Sequence, residues 1–322
     1  PASIPAASRA RGPSWQRPSA TRAEARQHHA AVVDGGAARP VTAAKPLFTD
    51  RFDVTVFTFL HLTDLHLVPP GAPPLFGLDP AERLRAAVAD IARRHGPDGP
   101  APAALAVVTG DLTHDGEPAA YALLRETLVT LPCPAHLLLG NHDERDAFRA
   151  AFPDAPVDDA GFVQSAFHTP AGRYITLDTK EPGTHAGRLG APRLAWLAAR
   201  LAESEAPVFL FLHHPPYRVG IVGMDEIPLL DAADLWEVLK PHRARVRHLF
   251  HGHLHRPLSG SWHGIPCSSL RGTSHQVALD FSERPDVPGS HEPPAYALVR
   301  VTEEDVVVHV HDFLDGTAGF GM

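Results

Sequence analysis

The 322-residue sequence predicts an α/β fold, a four-layer α-β-β-α sandwich of two stacked mixed sheets flanked by helices. In the first half of the chain, apolar strand segments alternate with segments of helical periodicity. These strand segments are continuous apolar runs, which is typical of a sheet covered by helices. Near the carboxyl end, several short strands follow one another closely, which favours antiparallel pairing and accounts for the mixed character of the sheets.

The first half of the chain is predicted to run β-α-β-α-β. Strands are expected over 54–62, 104–110 and 135–140, where β-branched, aromatic and other apolar residues dominate. Helices are expected over 79–95, behind an Asp-Pro start, and over 116–131. This order is typical of a sheet covered by helices.

The second half repeats the alternation and then changes to strands alone. The predicted elements are strands over 173–179, 207–213 and 246–252, helices over 192–204 and 229–242, and short strands near 264–268, 275–281, 295–301 and 305–312. We expect one folded domain over 51–285. Residues 286–322 are expected to add strands that complete the second sheet, followed by a short tail.

Residues 1–50 differ from the rest in composition and charge. They are rich in Ala, Arg, Pro and Ser and lack the apolar segment of a secretory signal peptide, so they are predicted to form a disordered extension. A transit peptide for an organelle is the alternative. Residues 1–49 carry seven basic and two acidic residues, which gives a net charge of +5. Because the whole chain carries −8, the remaining residues carry −13. An acidic body of that kind argues against binding to a nucleic-acid polymer.

Cysteine content and hydropathy indicate the cellular compartment in which the protein is expected. The longest apolar run, 54–60, is far too short to span a bilayer, so no membrane partner is expected. Cys133 and Cys267 match no metal or redox spacing, and so few cysteines suit a reducing compartment, with a single disulfide as the alternative. A cytoplasmic location of the bacterial type is predicted, and import into an organelle is left open.

Five of the predicted strands end in residues that can bind metals. The endings are TDLH (63–66), TGDLTHDG (109–116), LGNHDE (139–144), FLHHPP (211–216) and HGHLH (251–255). Each is ordinary alone, because Gly-Asp is a common turn and His-Pro can simply stop a strand. Ligands of open α/β sheets bind at the carboxyl ends of strands, and imidazole and carboxylate bind metals. The ordered set therefore predicts a metal site at one rim.

The motifs DLH, GD, GNHD, HHPP and GHLH, in this order, resemble those of the calcineurin-like metallophosphoesterase superfamily. Within it, the sequence is most similar to class III cyclic-nucleotide phosphodiesterases and bacterial glycerophosphodiesterases. The resemblance covers roughly residues 56–282 and extends to the segment SSLRGTSHQV (268–277). It implies that residues 51–285 form a metallophosphoesterase catalytic domain.

The resemblance also implies two transition-metal ions, of Fe, Mn or Zn. One site would use Asp64, His66, Asp111 and His255, and the other would use Asp111, Asn141, His213 and His253. Mixed imidazole and carboxylate ligands suit these metals, and the absence of thiolates disfavours a structural zinc site. A carboxylate shared by both ions would hold them close together. They would then lower the pKa of a bridging water, whose hydroxide attacks the phosphorus.

Further histidines are assigned around this centre. By the same resemblance, His142 would face the phosphate, where it stabilises charge or protonates the leaving oxygen, and Asp143 would orient the His142 imidazole. Three residues are expected to line or shape the substrate pocket: His114, His214 and His275. His61 is expected to be a buried, hydrogen-bonded histidine, and His251 to support the ligands or to serve packing.

The predicted function is hydrolysis of small phosphodiesters, either 3′,5′-cyclic nucleotides such as cAMP or glycerophosphodiesters. The segments GDLTHDG and GNHDERD lack the extensions of protein phosphatases, and His114 occupies the position where purple acid phosphatases have tyrosine. Alternatives are a broad-specificity phosphomonoesterase and a non-catalytic scaffold of the same fold, which a complete ligand set disfavours. The expected partner is the small substrate, and a homodimer is left open.

Overall fold

The computed structural model describes residues 55–284 and 286–317, and the extension predicted over 1–50 lies outside them. The strands are β1 (Phe57–Leu62), β2 (Ala106–Thr109), β3 (Ala135–Leu138), β4 (Ser165–Thr169), β5 (Gly172–Thr176), β6 (Val208–Leu212), β7 (Val246–His251), β8 (Leu258–Trp262), β9 (Ile265–Ser269), β10 (Gln276–Val277), β11 (Gly289–Ser290), β12 (Ala295–Val301) and β13 (Val306–Asp312). The α-helices are α1 (Pro80–His95), α2 (Pro118–Leu128), α3 (Arg145–Ala151), α4 (Gly190–Ala202), α5 (Val222–Asp225) and α6 (Ala232–Leu239), and a 3-10 helix spans Lys240–Arg245.

Helix α1 shows how local sequence sets an element. The Asp79 side chain accepts hydrogen bonds from the backbone N–H groups of Ala81 and Glu82, at 2.9 and 3.0 Å. Pro80 occupies the first helical position, where its missing N–H is not needed. The buried face of the helix consists mainly of apolar side chains at helical spacing: Leu84, Ala87, Val88 and Ile91. The predicted start of the helix at the Asp-Pro pair is therefore confirmed.

The strands form two mixed sheets and a two-stranded ribbon. The first sheet has the order β13-β12-β1-β2-β3, in which β1, β2 and β3 are parallel. The second has the order β4-β5-β6-β7-β9-β8, parallel in its centre with β4 and β8 antiparallel at its edges. Strands β10 and β11 pair separately.

The two sheets face each other across an aromatic core. Phe59 of the first sheet lies edge-on to Tyr174 and Phe250 of the second, with ring centroids 5.3 and 5.4 Å apart. A second cluster packs α1, α2 and α3 on the outer face of the first sheet, and a third packs α4 and α6 on the outer face of the second. These are the four layers α-β-β-α that the sequence predicted.

One sheet assignment was wrong. The C-terminal strands β12 and β13 were predicted to complete the second sheet, but they extend the first, with β12 antiparallel to β1. Their spacing in sequence indicates that they pair with each other, but contains no information on which open edge receives them. Sequence patterns also missed α3, β4 and β8, because the two strands are half-polar edge strands and the helix is only seven residues long.

Two predictions on the environment can be compared with the described residues. Cys133 and Cys267 are both free, so the alternative of a disulfide between them is not realised. Across residues 55–284 and 286–317, no helix combines the length and the apolar character needed to cross a bilayer.

Candidate metal centre

The loops after β1, β2, β3, β6 and β7 meet at one rim, and they carry all seven predicted metal ligands. These ligands are buried, with no more than 8% of any residue exposed: Asp64, His66, Asp111, Asn141, His213, His253 and His255. Burial of so many ionisable groups is costly unless each finds a partner. Their gathering at one place confirms that the strand ends converge.

The backbone at these ligands is conformationally unusual. Seven non-glycine residues among those described have positive φ angles, and five of them are predicted ligands, with φ between 46° and 70°: Asp64, His66, Asp111, His253 and His255. Left-handed backbone at such residues costs of order 1–3 kcal/mol each and persists where the surroundings enforce it, commonly at functional sites. These residues follow β1, β2 and β7, where the left-handed backbone directs their side chains to a common centre.

Two glycines of the motifs permit this close approach. A Cβ atom at Gly140 would lie 2.1 Å from Asp111 Oδ1, and one at Gly252 would lie 2.1 Å from Thr63 Oγ1. Neither position has room for a side chain. The glycines that precede Asn141 and His253 are therefore required by packing around the ligands.

The first donor cluster consists of Asp64, His66, Asp111 and His255, whose ligand atoms lie within 4.8 Å of one another. His66 Nε2 is 3.1 Å from His255 Nε2 and 3.4 Å from Asp111 Oδ2. The Nδ1–H group of His255 donates to the backbone carbonyl of His275 at 2.8 Å. In a neutral imidazole the other nitrogen then carries a lone pair, so His255 Nε2 presents it to the cluster.

The second donor cluster is built around the amide oxygen of Asn141. This Oδ1 atom lies 3.1 Å from His213 Nε2 and 2.9 Å from His253 Nδ1. His213 Nδ1 donates to the carbonyl of Thr109 at 2.7 Å, which directs Nε2 to the cluster. The structure thus brings together the residues that were predicted for the second ion.

Asp111 lies between the two clusters. Its Oδ2 atom is 3.4 Å from both His66 Nε2 and His213 Nε2, while Oδ1 accepts the backbone N–H of His142 at 2.9 Å. Burial would raise the pKa of Asp111, but the neighbouring His213 holds it well below its usual range. Burial would lower the pKa of His213, but Asp111 raises it to about 9. A cation bound between them would replace the proton that this pair otherwise holds.

The remaining donors also fit cations. Asp64 Oδ2 is buried and has no hydrogen-bond partner among the described residues. Burial raises the pKa of Asp64 and lowers the pKa values of His66 and His253 well below their usual range, so these imidazoles are neutral. Neutral imidazoles, carboxylates and an amide oxygen form a donor set suited to transition metals.

His142 lies at the edge of the first cluster. Its ring stacks on that of His114 with centroids 5.0 Å apart, and it is 4.7 Å from the ring of His66. Its Nδ1–H group donates to the backbone carbonyl of His114 at 2.7 Å. The Nε2 atom is therefore the one left for a substrate.

The predicted contact between Asp143 and the His142 ring is wrong. The fully buried carboxylate of Asp143 does not orient the His142 ring; it accepts hydrogen bonds from the backbone N–H groups of Leu112, Thr113 and Gly140 and from the hydroxyl of Tyr121, at 2.9–3.1 Å. Burial and Asp111 raise the pKa of Asp143 to about 6, against these hydrogen bonds. Adjacent side chains leave the loop in different directions, so Asp143 joins the second and third motif loops instead.

The three predicted pocket histidines differ in position. The ring of His275 lies 4.8 Å from that of His66, and His114 Nδ1 lies 3.2 Å from His66 Nδ1, so both border the first cluster. His214 is completely buried, with Nδ1 bonded to Thr179 and Nε2 to the carbonyl of His185. Its ring packs against those of His213 and His253, with centroids 4.8 and 4.7 Å apart, so it supports the second cluster and does not line the substrate pocket.

Two other histidines have the unremarkable roles expected of them. His61 is buried and bonded to the hydroxyl of Thr109 at 2.9 Å. His251 is buried and accepts the hydroxyl of Tyr217 at 2.6 Å.

Sequence reasoning missed a segment that supports the second cluster. His185 Nδ1 lies 2.9 Å from the amide nitrogen of Asn141, and the buried Lys180 ammonium donates to the carbonyl of Asn141 at 3.1 Å. Both residues belong to a long loop, TKEPGTHAGRL, between β5 and α4. They follow no motif, so no spacing in the sequence could have revealed them.

Comparison with known proteins identifies the family. The calcineurin-like phosphoesterase profile matches residues 57–257. A probable cyclic nucleotide phosphodiesterase of Rhodopseudomonas palustris is 47% identical over 260 residues, which cover 80% of this chain and 92% of that protein. A probable glycerophosphodiester phosphodiesterase of Arcobacter nitrofigilis is 32% identical over 202 residues, covering 62% and 74%.

The fold agrees with this family. A crystal structure of a dimetal phosphatase from Danio rerio superposes with a TM-score of 0.59 at 16% identity, covering 80% of this chain and 97% of that chain. The predicted enzyme class, a metal-dependent phosphodiesterase, is confirmed by the family and the named relatives. The chain belongs to the calcineurin-like phosphoesterase family.

Proposed function

We propose that this chain hydrolyses small phosphodiesters, with 3′,5′-cyclic nucleotides such as cAMP as its substrates and glycerophosphodiesters as the alternative. The observation that carries the proposal is the position of Asp111 Oδ2, 3.4 Å from one imidazole nitrogen of each donor cluster. A shared carboxylate of this kind can hold two cations near each other. The similarity to a probable cyclic nucleotide phosphodiesterase and to a probable glycerophosphodiester phosphodiesterase supports both substrate classes.

The two clusters would hold a pair of Fe, Mn or Zn ions. When bound, such a pair supplies Lewis acidity, which activates a water molecule for attack and neutralises charge on the phosphoryl oxygens. Asp111 is kept ionised by its neighbours, so it is ready to bind both ions. The backbone N–H of His142 and the carbonyl of Thr109 fix the orientations of Asp111 and His213.

His142 is proposed to assist the leaving group. Because its Nδ1–H is occupied by the carbonyl of His114, only Nε2 can donate a proton to an oxygen of the substrate. The stacked ring of His114 and the neighbouring ring of His66 limit the rotation of the imidazole. The same position would let His142 stabilise negative charge on a phosphoryl oxygen.

A substrate panel with defined metals tests this function. The purified chain, loaded with Mn, Fe or Zn, would be assayed on cAMP, glycerophosphoethanolamine and p-nitrophenyl phosphate, and its metal content measured. Asp111→Asn should abolish hydrolysis, whereas Asp159→Asn, at an exposed position, should not. Preference for the monoester would favour the phosphomonoesterase alternative. Absence of hydrolysis of all three substrates would favour the non-catalytic scaffold. The predicted cytoplasmic location and homodimer remain predictions.

A further inference from the structure

Phe76 forms the tip of a tight turn beside the metal centre. Leu75 and Leu78 exchange both backbone hydrogen bonds, at 2.8 and 2.9 Å, so Phe76 and Gly77 are the two central residues of the turn. Both have positive φ, 51° and 80°. Such turns normally place Asn, Asp or Gly at these positions, because a bulky side chain is strained there.

The side chain at this strained position is also exposed. Phe76 is 60% accessible, although burial of an aromatic ring is usually favourable. The backbone is held in place from outside the turn, because His291 Nε2 donates to the carbonyl oxygen of Phe76 at 3.0 Å. Strain and exposure at one residue, enforced by a remote contact, indicate a role other than folding.

Phe76 borders a cavity of about 540 Å³. This size lies within the roughly 300–1,000 Å³ of small-molecule sites. The remaining wall includes Val277, Val287 and His275. The amide of Gln276, which also borders the cavity, is already bonded to the backbone of Gly272 and Ser274, so it has little capacity left for a ligand. Ser290 and His291 also border the cavity, so its wall combines apolar side chains with a few polar groups. Such a wall suits a flat heteroaromatic ring.

The cavity adjoins the metal centre through a single imidazole ring. The Phe76 ring lies 4.7 Å from the His275 ring, which in turn lies 4.7 Å from His255 and 4.8 Å from His66, both proposed metal ligands. In a cyclic nucleotide, one ribose ring separates the phosphate from the base. Phe76 is likewise separated from the proposed ligands by one intervening ring, that of His275.

We propose that Phe76 and the cavity beside it bind the nucleobase of a cyclic nucleotide whose phosphate lies at the metal centre. Phe76 is then a specificity-determining residue that favours nucleotides over glycerophosphodiesters. This inference rests on the proposed phosphodiesterase function and narrows its substrate class. An aromatic face stacks on every base, whatever its hydrogen-bonding pattern.

The test compares two substrates that differ only in the base. These are cAMP and the corresponding ribose 3′,5′-cyclic phosphate with hydrogen in place of adenine. Phe76→Asn removes the ring but suits the turn, since asparagine accepts positive φ. Phe76→Trp keeps an aromatic face. Phe281→Asn is the matched control, because Phe281 is equally exposed, at 64%, and does not border the cavity.

Loss of base stacking corresponds to roughly 5- to 150-fold in affinity. Phe76→Asn should therefore lower kcat/KM for cAMP by a factor in that range and leave the base-free substrate nearly unchanged, with metal content and Tm maintained. Phe76→Trp and Phe281→Asn should retain activity on cAMP. Equal losses on both substrates, or no loss on cAMP, would overturn the inference. If the unmodified chain cleaves a glycerophosphodiester but neither cyclic phosphate, this inference fails and the proposed function stands; if it cleaves none of the three, the proposed function itself fails.

Discussion

Replacement of Gly140 by alanine tests the metal centre without removing any ligand. The added Cβ would lie 2.1 Å from Asp111 Oδ1, 2.4 Å from Asp111 N and 2.7 Å from His213 Cε1. Real Cβ atoms do not approach other atoms within 3.0 Å, so the Asp111 carboxylate must move by about 0.9 Å. The clash involves the backbone of Asp111, so a change of rotamer cannot relieve it.

The magnitude follows from this displacement. Metal–ligand distances are set to within about 0.2 Å, so a shift several times larger should lower the affinity for both ions, because both would bind Asp111. Overpacking of a tight interior costs about 1–3 kcal/mol. For a domain of this size that corresponds to a decrease in Tm of about 2–12 °C.

Metal content by mass spectrometry and metal affinity by calorimetry would measure the effect, together with Tm of the metal-free protein. Gly260→Ala is the matched control, because a Cβ there finds its nearest atom, in Leu258, at 4.0 Å. It should bind metals normally and keep its Tm. If Gly140→Ala retained two tightly bound ions, the assignment of Asp111 as the shared ligand would be refuted.

Three further predictions concern single side chains. Asp111→Ala should lose both ions, whereas Asn141→Ala should mainly weaken the second, as elemental analysis would show; two tight ions in Asp111→Ala would contradict the bridge. His142→Ala should lower hydrolysis of an alkyl diester about 10²–10⁴-fold and that of bis(p-nitrophenyl) phosphate much less, because nitrophenolate needs no proton; equal losses would indicate charge stabilisation instead. Asp90 accepts hydrogen bonds from Tyr296 and His311. Burial would raise the pKa of Asp90, but Tyr296, Arg94 and His311 lower it overall, so Asp90 stabilises the fold above its unfolded pKa. Asp90→Asn should lower Tm at pH 7, and the difference should disappear as the pH falls below about 4.

Much of the fold could be predicted because its signals are local. The Asp79 cap, the apolar spacing of α1 and the continuous apolar runs of β2 and β6 each depend on residues close in sequence. Hydrophobic periodicity then determines which faces are buried, and hence four layers. The edge that receives β12 could not be predicted, because it depends on which strand in space has unpaired backbone groups.

The candidate site divides in the same way. Its seven proposed ligands follow strands, and parallel strands necessarily bring their carboxyl ends to one rim, so the sequence pattern indicated their convergence. The resemblance of the motifs to the family supplied the assignment of each ligand. The partners of Asp143 and the contacts of His185 depend on how separate loops pack, and no spacing encodes them. The role proposed for Phe76 could not be predicted from the sequence either. Phe76 and His275 are 199 residues apart in the chain, and only the tertiary structure brings their rings together. The sequence by itself therefore determined the fold class and the metal-binding chemistry, while the tertiary structure decided which side chains support and surround that chemistry, since those contacts join residues distant in sequence.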